Sequence, residues 1–179
     1  VVLSYQYEGK YVPLRGKECS TQQMPFISNK IKSYYEFANA SIEDIYGVNI
    51  NASYNREVNE FKSILLLNKG NNIFKKMVLP TMAQTMPILD GATFDFNNDG
   101  FDDLIIVGNL YNTEVETPRL DNPYGLVLLS NKKDNYTVLT PEKTGLDLNG
   151  NAKTVELVHH KKLNKTFAII AVNNGKTEV

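Results

Sequence analysis

Residues 95–107 read DFNNDGFDDLIIV. Oxygen-bearing side chains stand at every second position, Asp95, Asn97 and Asp99, and another follows at Asp103. Gly100 stands where a tight loop needs a residue free to take positive φ. Four apolar residues, Leu104, Ile105, Ile106 and Val107, come directly afterwards and read as a buried strand. A chain of this pattern wraps oxygens around a hard cation and then enters a sheet. Calcium loops of the helix-loop-helix type begin the same way, with alternating ligands, a Gly and a backbone carbonyl. The corresponding ligand set is Asp95, Asn97, Asp99, the Phe101 carbonyl and Asp103. Ile106 occupies the place of the bidentate Glu that closes such loops, and a strand follows, so a helix-loop-helix is excluded. The competing reading is a simple hairpin turn, since Asn98-Asp99-Gly100 tolerates left-handed conformations. A turn alone does not call for Asp95, Asn97 and Asp103. Three converging carboxylates repel one another unless a divalent ion sits among them.

The motif D-x-N-x-D-G-x-x-D followed by an apolar strand resembles the calcium loops of FG-GAP/VCBS repeats, the blades of integrin-α-like β-propellers. RGKECSTQQMPF at 15–26, LPTMAQTMPI at 79–88 and RLDNPYGLVLL at 119–129 also resemble the C-terminal portion of bacterial VCBS-repeat proteins. The family more often has Asp where this chain has Asn97. The resemblance implies a calcium loop joining two neighbouring strands of one blade. It further implies an extracellular, cell-surface or periplasmic setting, with a protein or glycan as ligand.

The remaining chain is consistent with one domain of ordinary core size. Its 179 residues suffice for a real core but not for two large domains. Lys and Arg number 19 against 20 Asp and Glu, so no basic excess points to nucleic acid or an anionic membrane surface. No apolar run approaches the ~18 residues that span a bilayer. The opening VVLSYQYEGK carries neither an initiator Met nor a signal peptide, which suggests a piece of a longer chain whose other blades lie elsewhere.

Along the chain, residues 1–14 read as a hairpin left from a partial blade. Residues 15–57 read as a helical insert and linker. Ser41-x-x-Asp44 approximates a capping box, and Gly47 is a natural stop. Tyr34, Phe37, Ala38, Ile42, Ile45 and Tyr46 recur at helical spacing, which predicts a stripe packed on the sheet. Residues 58–118 then form a four-stranded blade with the calcium loop, and residues 119–179 a degenerate terminal blade. The order recurs: GLVLLSNKKDNYTVL at 125–139 mirrors KSILLLNKGNNIFKKM, and IAVNN at 170–174 mirrors IIVGN at 105–109. That second register places His160, Lys162, Asn164 and Ala168 where the acidic loop has its ligands, so only the first copy is expected to bind metal. The fold class is therefore mainly β: a partial β-propeller of two four-stranded FG-GAP-like blades, a fragment of a third, and a small helical insert. Open blade edges predict self-association.

Other chemistry is sparse. Cys19 is the one cysteine, which excludes an internal disulfide and a Cys-based zinc site. His159 and His160 are strand neighbours and point to opposite faces. Asn39, Asn51, Asn135 and Asn164 begin N-x-S/T sequons. No nucleophile elbow, phosphate-cradling loop or dinucleotide fingerprint is present. The expectation is a non-catalytic, Ca2+-binding module with a protein or glycan ligand and no nucleic acid. The alternatives are a purely structural terminal segment of a propeller and a non-catalytic part of a carbohydrate-active enzyme.

Overall fold

The computed structural model describes residues 1–115, 117–122, 124–131 and 135–179. The chain divides into two compact units, Val1–Asn59 and Glu60–Val179. Among the described residues no helix is long and apolar enough to cross a membrane.

The first unit opens with the hairpin of β1 (Ser4–Tyr7) and β2 (Lys10–Pro13), closed by Glu8 and Gly9. Both take positive φ, which matches the right-handed twist of the flanking strands. Short helices follow: α1 (Lys17–Gln23), α2 (Phe26–Lys30), α3 (Tyr34–Asn39), α4 (Ile42–Tyr46) and a 3-10 turn at Val48–Ala52. Pro25 separates the first two. Ser41 and Asp44 form the anticipated capping box, and Ser33 with Glu36 forms another. Gly47 ends α4 at φ 85°. The helical stripe is only partly buried. Phe37 and Ile45 join Ile27, Ile31 and Ala40 in a core of their own, whereas Tyr34 stays 68% exposed. The expected packing on a sheet is thus replaced by packing of helix on helix.

The second unit has more strand than helix. The hairpin β3 (Ile64–Asn68) and β4 (Phe74–Val78) is followed by a 3-10 turn at Thr81–Gln84. Next come β5 (Asp90–Phe94), β6 (Asp103–Val107), β7 (Leu126–Asn131) and β8 (Asn135–Val138), which form one four-stranded antiparallel sheet in chain order. A short helix α5 (Pro141–Thr144) leads to the long hairpin β9 (Asn151–His160) and β10 (Lys165–Asn173). No propeller is detected among the described residues. The expected division at 118/119 into two successive blades is not the one observed, because the four-stranded sheet runs across it. Residues 132–134, within the repeated sequence stretch, lie outside the described residues.

β6 is buried along its whole length, as its unbroken apolar run requires. Its even residues, Leu104 and Ile106, join Leu126 and Leu128 in a cluster that takes in Leu79, Ala83, Met86 and Leu65 of β3. Its odd residues, Ile105 and Val107, join Val127 in a second cluster with Val155 and Ile170 of the last hairpin. The central sheet therefore carries β3–β4 on one face and β9–β10 on the other. Two polar groups, the buried Asn109 and the half-buried Asp90, bind the layers. Asn109 Nδ2 donates to the Gly150 carbonyl at 2.7 Å, and its Oδ1 accepts from Asn122 N at 2.7 Å. Asp90 Oδ2 accepts from Thr154 Oγ1 and from Val155 N at 3.0 Å. At the end of β6, Gly108 leaves no room for a side chain, since a Cβ there would lie 2.1 Å from the Pro87 carbonyl oxygen.

The internal repeat is visible in the hairpins. β3–β4 corresponds to β7–β8, and β5–β6 corresponds to β9–β10. Backbone direction corrects the register of the second pair. The Ile170 N–H donates to Glu178 O and its carbonyl accepts from Glu178 N, so Ile170 faces away from β9. In β6 the residues facing away from β5 are Leu104 and Ile106. Leu139 N donates to Val127 O, which turns Val127 toward β8 and leaves Leu126 and Leu128 for β6. Ile170 therefore corresponds to Ile106, not Ile105. Phe94 and Asp103 then correspond to the pair Val158 and Phe167, 64 residues on, and Asp95 to His159.

Candidate functional site

The connection 95–102 joins β5 to β6 at one end of the central sheet. Its path is set by Asn98 at φ 58° and Gly100 at φ 87°, both in the left-handed region. The side chains of Asp95, Asn97 and Asp99 are brought together around the loop's own backbone. Asp95 Oδ1 accepts from Asp99 N at 3.0 Å and Oδ2 from Gly100 N at 2.8 Å. Asn97 Oδ1 accepts from the same Asp99 N at 3.0 Å. Asn97 Nδ2 donates to Asp99 Oδ2 at 3.1 Å, and Asp99 Oδ1 accepts from Phe101 N at 3.0 Å. Asp95 is half-buried; Asn97, Asp99 and Phe101 are exposed. Asp102 is exposed beside them.

Asp103 is placed differently. It is fully buried at the first position of β6. Its Oδ2 accepts from Phe96 N at 2.9 Å and its Oδ1 from Ser130 N at 2.8 Å. The carboxylate thus ties the loop entry to β7, accepting from N–H groups where no strand carbonyl reaches them. Among the described residues no three or more His, Cys, Asp or Glu side chains are grouped to hold a metal ion. The donor set fits a hard cation in part. Asp95, Asn97, Asp99 and the Phe101 carbonyl supply oxygens on one loop, without nitrogen or sulfur. Each carboxylate oxygen that accepts one N–H keeps a second lone pair.

The corresponding turn of the last hairpin has no such arrangement. There the ladder continues through Val158–Phe167, His159–Thr166 and His160–Lys165. Only residues 161–164 remain for the turn, with Asn164 at φ 48°. His159 Nδ1 lies 3.3 Å from Thr166 Oγ1, and His160 Nδ1 accepts from Leu163 N at 3.1 Å. Each ring has a local hydrogen-bond partner. Cys19 lies half-buried in α1 of the first unit.

Sequence reasoning missed two polar groups of the second unit. Asp90 is one. The Thr154 hydroxyl above all, then the Val155 and Gly91 N–H groups, hold its carboxyl below the usual range against its partial burial. A second group lies on the 108–125 connection, at the opposite end of β6. Arg119 Nη2 meets Asp121 Oδ2 at 2.9 Å, Tyr111 Oη donates to Asp121 Oδ1 at 2.9 Å, and the guanidinium lies 4.5 Å from the Tyr111 ring centroid. Burial, with Asp121 adding to it, pushes the Tyr111 hydroxyl up. The length of that connection was the available signal, since long loops commonly carry function.

Comparison of the chain with protein-family models, with curated proteins and with solved structures finds no match.

Proposed function

We propose that this chain is a non-catalytic, calcium-stabilised repeat module of FG-GAP/VCBS type, part of a secreted or surface-exposed bacterial protein that binds a protein or glycan. The observation that carries this reading is the placement of the acidic loop. It joins the first two strands of a four-stranded antiparallel sheet, where the sequence resemblance puts a calcium loop within one blade. On this reading the second unit holds one whole blade, β5–β8, between the outer half of one neighbour, β3–β4, and the inner half of the next, β9–β10. Asp95, Asn97, Asp99 and the Phe101 carbonyl would hold the ion, with Asp103 adding a lone pair from the sheet side. Calcium accepts such mixed oxygen shells, completed by water, more readily than magnesium does.

The ion would neutralise carboxylates that the loop now satisfies with its own N–H groups. Nothing in this arrangement provides a nucleophile or a paired acid and base. Calorimetric titration tests the site directly: one calcium per chain is expected, with binding lost in Asp99→Ala and retained in His160→Ala. Absence of calcium binding would remove the metal from the proposal. A purely structural role is the second reading, favoured by the hydrogen bond that each oxygen of Asp95 and Asp99 already accepts within the loop. Screening the chain against glycans and surface proteins separates the two, since a structural segment binds none of them.

A further inference from the structure

We propose that the open edges of β3 and β10 are complementary, and that a second copy of this chain adds its β3 to β10 to complete a four-stranded sheet. Edge geometry and the internal repeat, not calcium, set this pairing. Lys69 N donates to Ile73 O and Leu79 N to Ser63 O, so the odd residues of β3 bond to β4. Ile64 and Leu66 therefore turn their N–H and C=O groups to the other edge, which pairs with no strand among the described residues. On β10 the same holds for Ala168 and Ile170, and Ile170 already bonds through that edge to Glu178. The edge is thus able to form a ladder and is bridged at one residue.

The chain shows what such edges accept. β6 corresponds to β10 and β7 corresponds to β3, and β6 pairs with β7 through Leu104–Leu128 and Ile106–Leu126. Carried over, Ala168 of one copy pairs with Leu66 of the next, and Ile170 with Ile64. Side-chain faces agree with this register. Ile170 and Ala168 point into the cluster shared with the central sheet. Ile64 and Leu66 lie on the side of β3 opposite Leu65, which packs into the other cluster. Docked in this register, they extend β10's inner face over Leu129 and Leu139, which are only partly buried. The apolar groups brought in are otherwise in water: Leu66 is 55%, Phe74 54% and Val78 50% exposed. Two exposed edges joined head to tail give a heterologous contact, which grows into rings or open chains instead of stopping at a symmetric dimer.

Sedimentation of the full chain over a range of concentrations tests this, with and without a calcium chelator so that failure of the metal site is read separately. The expected result is reversible association that grows with concentration. Leu66→Pro removes one edge N–H and leaves the β3–β4 hydrogen bonds in place, so it should weaken association by about tenfold or more. Glu178→Pro removes the N–H that bridges to Ile170 and should strengthen it. In a Cys19→Ser background, chains carrying Ala168→Cys and Leu66→Cys should join through a short thiol cross-linker when mixed. A chain that stays monomeric as wild type and as Glu178→Pro overturns the proposal. So does association that is unchanged by Leu66→Pro in a folded variant, or a failure of the two cysteines to cross-link.

Discussion

Asp103 opens β6 with a carboxylate that has no exposed surface and two backbone donors in front of it. Removing it leaves the N–H groups of Phe96 and Ser130 without an acceptor inside the sheet. Asp103→Ala should therefore destabilise the second unit by about 2–4 kcal/mol, read from denaturant unfolding, and Asp103→Asn by roughly half of that. Asp90 acts in a similar way between layers. Its folded carboxyl is held below the unfolded value, so its stabilising contribution is present above the unfolded pKa of about 4. That contribution is lost as pH falls through the folded value. The melting temperatures of wild type and Asp90→Asn should accordingly differ at neutral pH and converge at acidic pH below about 4. A gap that persists in acid would show that the Asn variant fails for reasons other than the carboxylate. Neither role could be read from the residues. The spacing of Asp103 fits a ligand, and nothing in the local sequence reveals that Ser130 N–H lies opposite.

At the scale of elements, hairpins were legible and their assembly was not. Asn98 and Gly100 announce a turn with positive φ, and the runs on either side pair as their sequence requires. Ser41 and Asp44 likewise mark a helix start whose hydrogen bonds are local. Which hairpin joins which is decided across the 108–125 connection, where β6 meets β7, and no short-range pattern encodes that contact. The register of the repeat was misread by one residue for a related reason. IIVGN matches IAVNN and the overlapping IIAVN almost equally well, and a one-residue slip exchanges the faces of a strand. Face and hydrogen-bond direction settle it. The corrected register explains why the last hairpin has a short turn: Phe167 stands in place of Asp103 and Val158 in place of Phe94, and both continue the ladder. Backbone hydrogen exchange should follow this difference. Amides of residues 158–160 and 165–167 should be more protected than those of residues 97–101, and β6 should be the slowest segment of all. Equal protection in the two turns would contradict the extended ladder.

At the scale of the molecule, strand outweighs helix, and the substantial helices are confined to the first unit. The second unit is a stack of sheets whose central member is covered on both faces and whose outer members are hairpins. The acidic loop at 95–103, proposed as a calcium site, would stabilise the central sheet of that stack. Binding to the folded chain alone raises stability by about 2.7 kcal/mol when free ligand exceeds its dissociation constant a hundredfold. For a chain of this size that corresponds to several degrees in melting temperature. The most direct measurement is thermal unfolding of chelated protein as calcium is added back, beside Asp99→Ala and with magnesium as the comparison ion. The account predicts a rise of several degrees with calcium, a smaller one with magnesium, and none in Asp99→Ala. An unchanged melting temperature in millimolar calcium, with Asp99→Ala as stable as wild type, would contradict it and leave residues 95–102 as a hairpin loop held by its own hydrogen bonds.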